Sequence, residues 1–306
     1  MRLLISVLDL FVDLGYRKFP MKRFAPNEGL TLFFLIGLFL LVFFSRGQIP
    51  LWRSQILFYA LSLGLLLVLK ISSDRKRSEG IGGLLNDFFP VAFIIFIYQS
   101  LGNIIQHLQP DIDPYLIRID FFLFGVHPTV WMERWITPWL TDTMSLAYLS
   151  YYFLPLILVL TLSLRGRTEE FRQTMFVLTF GYYLSFIGYI LFPAIGPRFT
   201  LSHLQTVPLE GSFFSDLVRD LLNAIEHNKR DCMPSGHTQI VLMVLFLARR
   251  HEKTIFYLFL PVVCCLILST VYLRYHYVID LIAGAAFAIG CIFIAPWLYR
   301  WWKRNE

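Results

Sequence analysis

Two histidines, an aspartate and an arginine carry most of the chemistry that this sequence offers. In the stretch STVYLRYHYVID, Ser269 to Asp280, His276 is followed four residues later by Asp280. On a helix such residues share a face, so the carboxylate can accept the Nδ1 proton of the imidazole. Nε2 is then left bare and aimed outward, the arrangement a nucleophilic histidine needs. The same spacing also suits a structural His–Asp link between two helices.

Two further clusters share the polar character of the first. In DCMPSGH, Pro234 leads into an apolar run that Ser235, Gly236 and His237 open. The first amides of a helix lack intrahelical partners, and with the positive end of the helix dipole they form an anion site. Ser235 would add a hydroxyl, Gly236 would let an oxyanion approach the backbone, and His237 would protonate a leaving oxygen. PSGH alone reads equally well as a helix cap. In PAIGPRFT, Arg198 offers a guanidinium suited to bidentate phosphate contacts. No Asp/Glu cluster suited to Mg²⁺ accompanies these residues, so neither a metal nor another cofactor is expected.

Those residues need a scaffold, and composition says of what kind. Of 306 residues, 57% are hydrophobic and 16% charged, with 30 Phe and 15 Tyr, and mean hydropathy is +0.60. Soluble domains carry about 25% charged residues, and aromatic residues gather at bilayer interfaces. Windows approaching the ~30 Å hydrocarbon thickness occur at 29–45, 54–71, 87–106, 143–163, 173–193, 235–249, 254–273 and 277–298. The pattern predicts an all-α polytopic membrane protein with about eight transmembrane helices. Ahead of them, within residues 1–28, Leu3, Leu4, Val7, Leu10, Phe11 and Leu14 recur at helical spacing. They suggest an amphipathic helix on the membrane surface, while Asp9 and Asp13 argue against a signal peptide.

With the N-terminus inside, the inner segments hold eighteen of the 27 Lys and Arg residues and the outer segments nine. The positive-inside rule therefore puts both termini in the cytoplasm, and all three polar clusters fall at one outer level. The net charge of +6 reads as an inner anchor for anionic lipid, with no nucleic-acid role. The sixth window, about fifteen residues or roughly 22 Å long, is short for a bilayer. Its outer end is expected to sink below the headgroups into a pocket that a lipid phosphate enters sideways. In the outer segment 107–142, Trp131, Trp135 and Trp139 recur every four residues, as in a short interfacial helix. The four cysteines lack metal-type spacing, and Cys232 is a candidate free thiol.

The PSGH and HYVID stretches resemble the second and third signature motifs of the type 2 phosphatidic acid phosphatase superfamily. That resemblance implies His276 as a nucleophile forming a phosphohistidine, Asp280 as its orienter and His237 as the acid for the leaving group. It implies Arg198, Ser235 and Gly236 as phosphate ligands. Two cations of the family pattern are absent: Leu191 stands where the first motif carries a lysine, and Thr270 where the third carries an arginine. Arg274 is the expected substitute. GYILFPAIGPR, TVYLRYHYVIDLIAGA and IDFFLFGVHP are similar to the inositol phosphorylceramide synthase, or inositolphosphotransferase, branch. This implies a six-helix catalytic membrane domain over 81–306, with 29–80 an accessory transmembrane pair.

The expected activity is thus a lipid phosphatase or head-group phosphotransferase. Its substrate would be a phospholipid or isoprenoid phosphate, and its acceptor water or a lipid hydroxyl. A transporter or channel would spread ionisable residues through the spans, whereas here they gather at one level. A catalytically inert lipid-binding relative is the third reading. The compact chain suggests a bacterial plasma membrane, with the site facing the periplasm or exterior.

Overall fold

The computed structural model describes residues 24–75, 87–225 and 228–304, among which there is no strand. The surface helix expected near the N-terminus falls on residues outside that range. The main helices are α1 (Pro26–Phe44), α2 (Trp52–Arg75), α3 (Phe89–Ile105) and α4 (Asp113–Phe124). Then α5 (Pro138–Leu149) runs through a 3-10 turn, Ser150–Tyr152, into α6 (Phe153–Leu164). The chain continues as α7 (Thr168–Leu191), α8 (Ser215–Ile225), α9 (Gly236–His251), α10 (Lys253–Tyr272) and α11 (Val278–Arg304).

Six of these are long and apolar enough to cross a bilayer: α1, α2, the continuous α5–α6 run, α7, α10 and α11. The other two expected spans are the shorter helices α3, of 17 residues, and α9, of 16. At 1.5 Å per residue α9 is about 24 Å long. Its ends are chemically defined. Ser235 Oγ accepts from Thr238 N at 3.2 Å, and Arg249, Arg250 and His251 close the last turn, where cations suit the dipole.

Short as it is, α9 is the hub, packed against α6, α7, α10 and α11. Ile240, Val241, Met243, Val244 and Leu247 lie on its buried faces. Lipid tails are as apolar as leucine, so close packing rather than the hydrophobic effect holds such helices together. Gly284 of α11 demonstrates the closeness: a Cβ there would stand 2.5 Å from the Ser235 carbonyl oxygen. A second core joins α1, α2 and α3 to Tyr183, Phe186 and Tyr189 on another face of α7. Phe33, Leu61, Phe122, Leu164 and Phe293 are exposed, as residues in contact with lipid tails would be.

On the basic side of the bundle, the buried Glu252 pairs with Arg165 at 2.5 Å and Arg167 at 3.0 Å, tying the α6–α7 turn to the α9–α10 turn. On the opposite side, the single tryptophan-bearing helix expected over 131–139 is broken. A turn of α-helix, Pro128–Trp131, and a turn of 3-10 helix, Met132–Trp135, precede α5. Ile136 is extended and Pro138 starts α5 afresh, because Pro both lacks an amide donor and disfavours helix at the residue before it.

Candidate active site

The loop between α10 and α11 positions His276. Its backbone N–H donates to Thr270 O at 3.0 Å, as does that of Tyr275 at 2.9 Å. Thr270 therefore supplies a carbonyl hook rather than the cation of the family pattern. Arg274 makes the reversal with φ of +67°, a left-handed conformation uncommon outside glycine. His276 is 3% exposed and Asp280, in the first turn of α11, is fully buried. His276 Nδ1 lies 3.5 Å from Asp280 Oδ2. The same oxygen accepts from Tyr277 N at 2.8 Å and from the Cys232 thiol at 2.8 Å. Burial pushes the Cys232 thiol well above its usual pKa, and the Asp280 charge adds to this, so it donates as a neutral S–H.

His276 Nε2 faces Nδ1 of His237, 3.5 Å away. With Nδ1–H turned to Asp280, Nε2 carries the lone pair, so His237 Nδ1–H is the donor between them. The His237 ring packs between Tyr148 and Tyr151, at centroid distances of 4.4 and 4.2 Å.

Both histidines line a cavity of about 360 Å³, together with Arg198, Lys229, Asn223, Asn228 and Asp231. Arg198 reaches it from the short helix Pro197–Thr200, steadied by Tyr275 Oη and Asn223 Oδ1, each at 3.4 Å. Gly196 precedes it with φ of +87°, and a Cβ there would meet the Tyr275 carbonyl at 2.6 Å. Lys229 is a second cation in the cavity that the sequence reading did not single out. Its only signal was its place four residues ahead of Met233.

The remaining predicted ligands go elsewhere. Ser235 is fully buried; its hydroxyl caps α9 and its N–H donates to Asp280 O at 3.0 Å. The structure therefore uses Ser235 to lock α9 to α11. Gly236 is buried, and a Cβ there would collide with Tyr189 Oη. The Arg274 guanidinium pairs with Glu133 Oε1 at 2.7 Å and donates to Val207 O at 2.5 Å. It lines a neighbouring cavity of about 350 Å³ that shares Arg198 and Tyr275 with the first. Leu191 is exposed.

A third cavity, of about 310 Å³, opens on the other side of His237. It runs between α3, α6 and α7, lined by Ile94, Leu156, Leu178, Phe186 and several tyrosines, with Asp231 and His237 at its end. Asp231 accepts from Tyr98 Oη at 2.5 Å; burial pushes its carboxyl above the usual range, and the Tyr98 bond works against this.

Three buried aspartates that the sequence reading passed over hold this region in place. Asp113, at the start of α4, accepts from Ile195 N (2.9 Å), Gly196 N (2.8 Å) and Tyr277 Oη (2.8 Å). Asp120, two turns on, accepts from Val278 N (2.8 Å) and Ile279 N (2.9 Å), the first amides of α11. One short helix thus grips both the arginine loop and the start of α11. Asp142 of α5 accepts from four successive amides, Ser212 to Ser215, and organises the start of α8.

The PAP2 superfamily pattern matches residues 115–294, from α4 to near the end of α11. The chain belongs to the PAP2 superfamily. It is also similar to a PA-phosphatase related-family protein of Dictyostelium discoideum, 23% identical over 172 residues. That match covers 50% of this chain and 31% of the relative, so the chain spans less than a third of the relative's length. No solved structure matches. Superfamily membership and the apolar helices make this a multi-pass integral membrane protein, and the matched region contains the polar cavity and both histidines.

Proposed function

We propose that this PAP2 superfamily member cleaves a phosphate ester of a membrane lipid through a phosphohistidine on His276. The observation that carries the reading is the position of His237 between two unlike cavities. One is polar, with Arg198, Lys229 and His276; the other is apolar and lies among membrane-spanning helices. An amphiphile with one phosphate and a hydrocarbon chain fits that pair.

In the first half-reaction His276 Nε2 attacks phosphorus, the bond to the leaving oxygen breaks, and His237 gives that oxygen a proton. Asp280 holds the imidazole in the attacking tautomer, and Arg198 and Lys229 offset the charge that develops on the phosphoryl oxygens. In the second, water or a lipid hydroxyl loses its proton to His237 and takes the phosphoryl group. A lipid alcohol as acceptor, in keeping with the inositolphosphotransferase-like stretches, is favoured by the apolar cavity that ends at His237. No step requires a metal. The site would face the exterior, with α1 and α2 an accessory pair beside the catalytic helices. The ionisable residues of the three cavities around Arg198 and His237 cluster at one level, which favours an enzyme over a transporter.

The test is to offer purified protein phosphatidic acid, isoprenoid pyrophosphates, and phosphatidylinositol with or without ceramide. Free phosphate identifies hydrolysis, and a new phospholipid formed only with the alcohol identifies transfer. Activity that survives in His276→Ala sinks the mechanism.

A further inference from the structure

Cys232 is unexplained by the mechanism above. Its thiol donates to Asp280 Oδ2 at 2.8 Å and lies 3.6 Å from His276 Nδ1, while Nδ1 and Oδ2 are 3.5 Å apart. A sulfur, an imidazole nitrogen and a carboxylate oxygen therefore form a compact triangle, all three residues being buried. A second observation concerns the same carboxylate. Asp280 Oδ1 is buried and accepts no hydrogen bond from any protein group, an expense that a buried carboxylate oxygen rarely carries.

We propose that Cys232, His276 and Asp280 form an inhibitory site for a borderline-soft divalent cation, Zn²⁺ being the natural candidate. Tetrahedral zinc with one sulfur, one nitrogen and one oxygen ligand has ligand–ligand edges of about 3.3–3.6 Å. Two edges of the triangle already match, and the S···O edge, 2.8 Å while the thiol donates, would open by about 0.7 Å once the thiol proton is gone. The mixed donor set disfavours Mg²⁺ and Ca²⁺, which take oxygen ligands. Cys232 and His276 both line the polar cavity, which gives the ion a route in and a water as fourth ligand.

The proton balance makes such an ion an inhibitor. Binding releases the thiol proton to solvent, since a coordinating thiol is deprotonated outright. The metal occupies the Nδ1 lone pair, so the imidazole proton moves from Nδ1 to Nε2. A protonated Nε2 has no lone pair with which to attack phosphorus, and Asp280 is no longer available to orient the ring. The ion thus switches off the nucleophile without touching the substrate. Inhibition rests on the role of His276 given above; metal binding does not.

The experiment uses the full-length protein in detergent, freed of metal by a chelator and titrated with Co²⁺. The native protein should show a thiolate-to-cobalt charge-transfer band that Zn²⁺ abolishes. Cys232→Ser should lose that band, while Cys291→Ser, a buried cysteine outside the site, keeps it. In the lipid phosphate assay, Cys232→Ser should need at least tenfold more Zn²⁺ for half-inhibition. X-ray absorption of the zinc-loaded native protein should report one sulfur ligand, a measurement independent of how the variant folds. No charge-transfer band in the native protein, a band retained by Cys232→Ser, or a zinc shell of nitrogen and oxygen only would each overturn the proposal. A protein that binds Co²⁺ as described yet turns over no lipid phosphate would refute the proposed function and leave the metal site standing.

Discussion

The two cavities that meet at His237 differ in almost every respect. The polar one gathers Arg198 and Lys229 beside His276 and is built from loops that Asp113 and Asp120 hold by charge-assisted hydrogen bonds. The apolar one is walled mainly by packed side chains of α3, α6 and α7, and its one buried carboxylate, Asp231, is held by Tyr98 at the end it shares with the polar cavity. The contrast teaches that positioning and solvation are handled separately. The proposed chemistry would rest largely on loops made rigid by buried carboxylates, and the hydrocarbon part of the proposed substrate would meet a lining that only has to be apolar.

Each side of that comparison can be broken in turn. On the polar side, His276→Ala should lower turnover at least about 1,000-fold, because the proposed mechanism places the covalent intermediate on His276. Steady-state hydrolysis of a lipid phosphate measures this. His237→Gln should cost about 100- to 10,000-fold, the usual worth of a general acid, with a smaller loss for a substrate whose leaving group needs no proton. A nitrophenyl phosphate serves for that comparison.

Loss of Asp113 should come next. Asp113→Ala removes three hydrogen bonds to a buried carboxylate, each worth about 1.5–3 kcal/mol. It should depress melting temperature and, by freeing the Arg198 loop, lower kcat/KM about tenfold or more. Thermal unfolding in detergent and kinetics on the same samples separate the two effects. On the apolar side, Leu178→Trp should raise KM for a long-chain lipid phosphate about tenfold relative to that for a water-soluble phosphate. A parallel change in both would mean that the apolar cavity has no part in substrate selection.

The smallest effect concerns Asp231, on the shared wall. Burial raises its folded-state pKa above the ordinary value of 3.8, so the folded protein holds this proton more tightly than the unfolded chain. The resulting stability is fully present below the unfolded value and is lost as pH rises through the folded one. Asp231→Asn should flatten the fall in melting temperature that sets in as pH rises above the ordinary carboxylate value.

What the sequence made legible was local. His276 and Asp280 are four residues apart, and an apolar window declares its helix without reference to the rest of the chain. All eight expected windows coincide with helices for that reason. The tie of Asp113 to Gly196 spans 83 residues and its tie to Tyr277 spans 164, so neither leaves a pattern at short range. Arg274 and Ser235 have suitable chemistry, but their destinations were set by Glu133, 141 residues away, and by the packing of α9 on α11. Lys229 reaches the cavity through a loop whose course no periodicity predicts. Ion pairs and close packing between distant segments decided which polar residues face the cavity and which hold the walls together.

The central claim is that His276 carries the phosphoryl group. Native protein mixed with a lipid phosphate labelled on phosphorus, quenched in alkali within milliseconds and digested, should yield a labelled peptide containing His276 whose label is lost in acid. His237→Gln, slowed at proton transfer, should still label the same residue. Label on any residue other than His276, or full turnover with no labelled histidine at any time, would contradict the account.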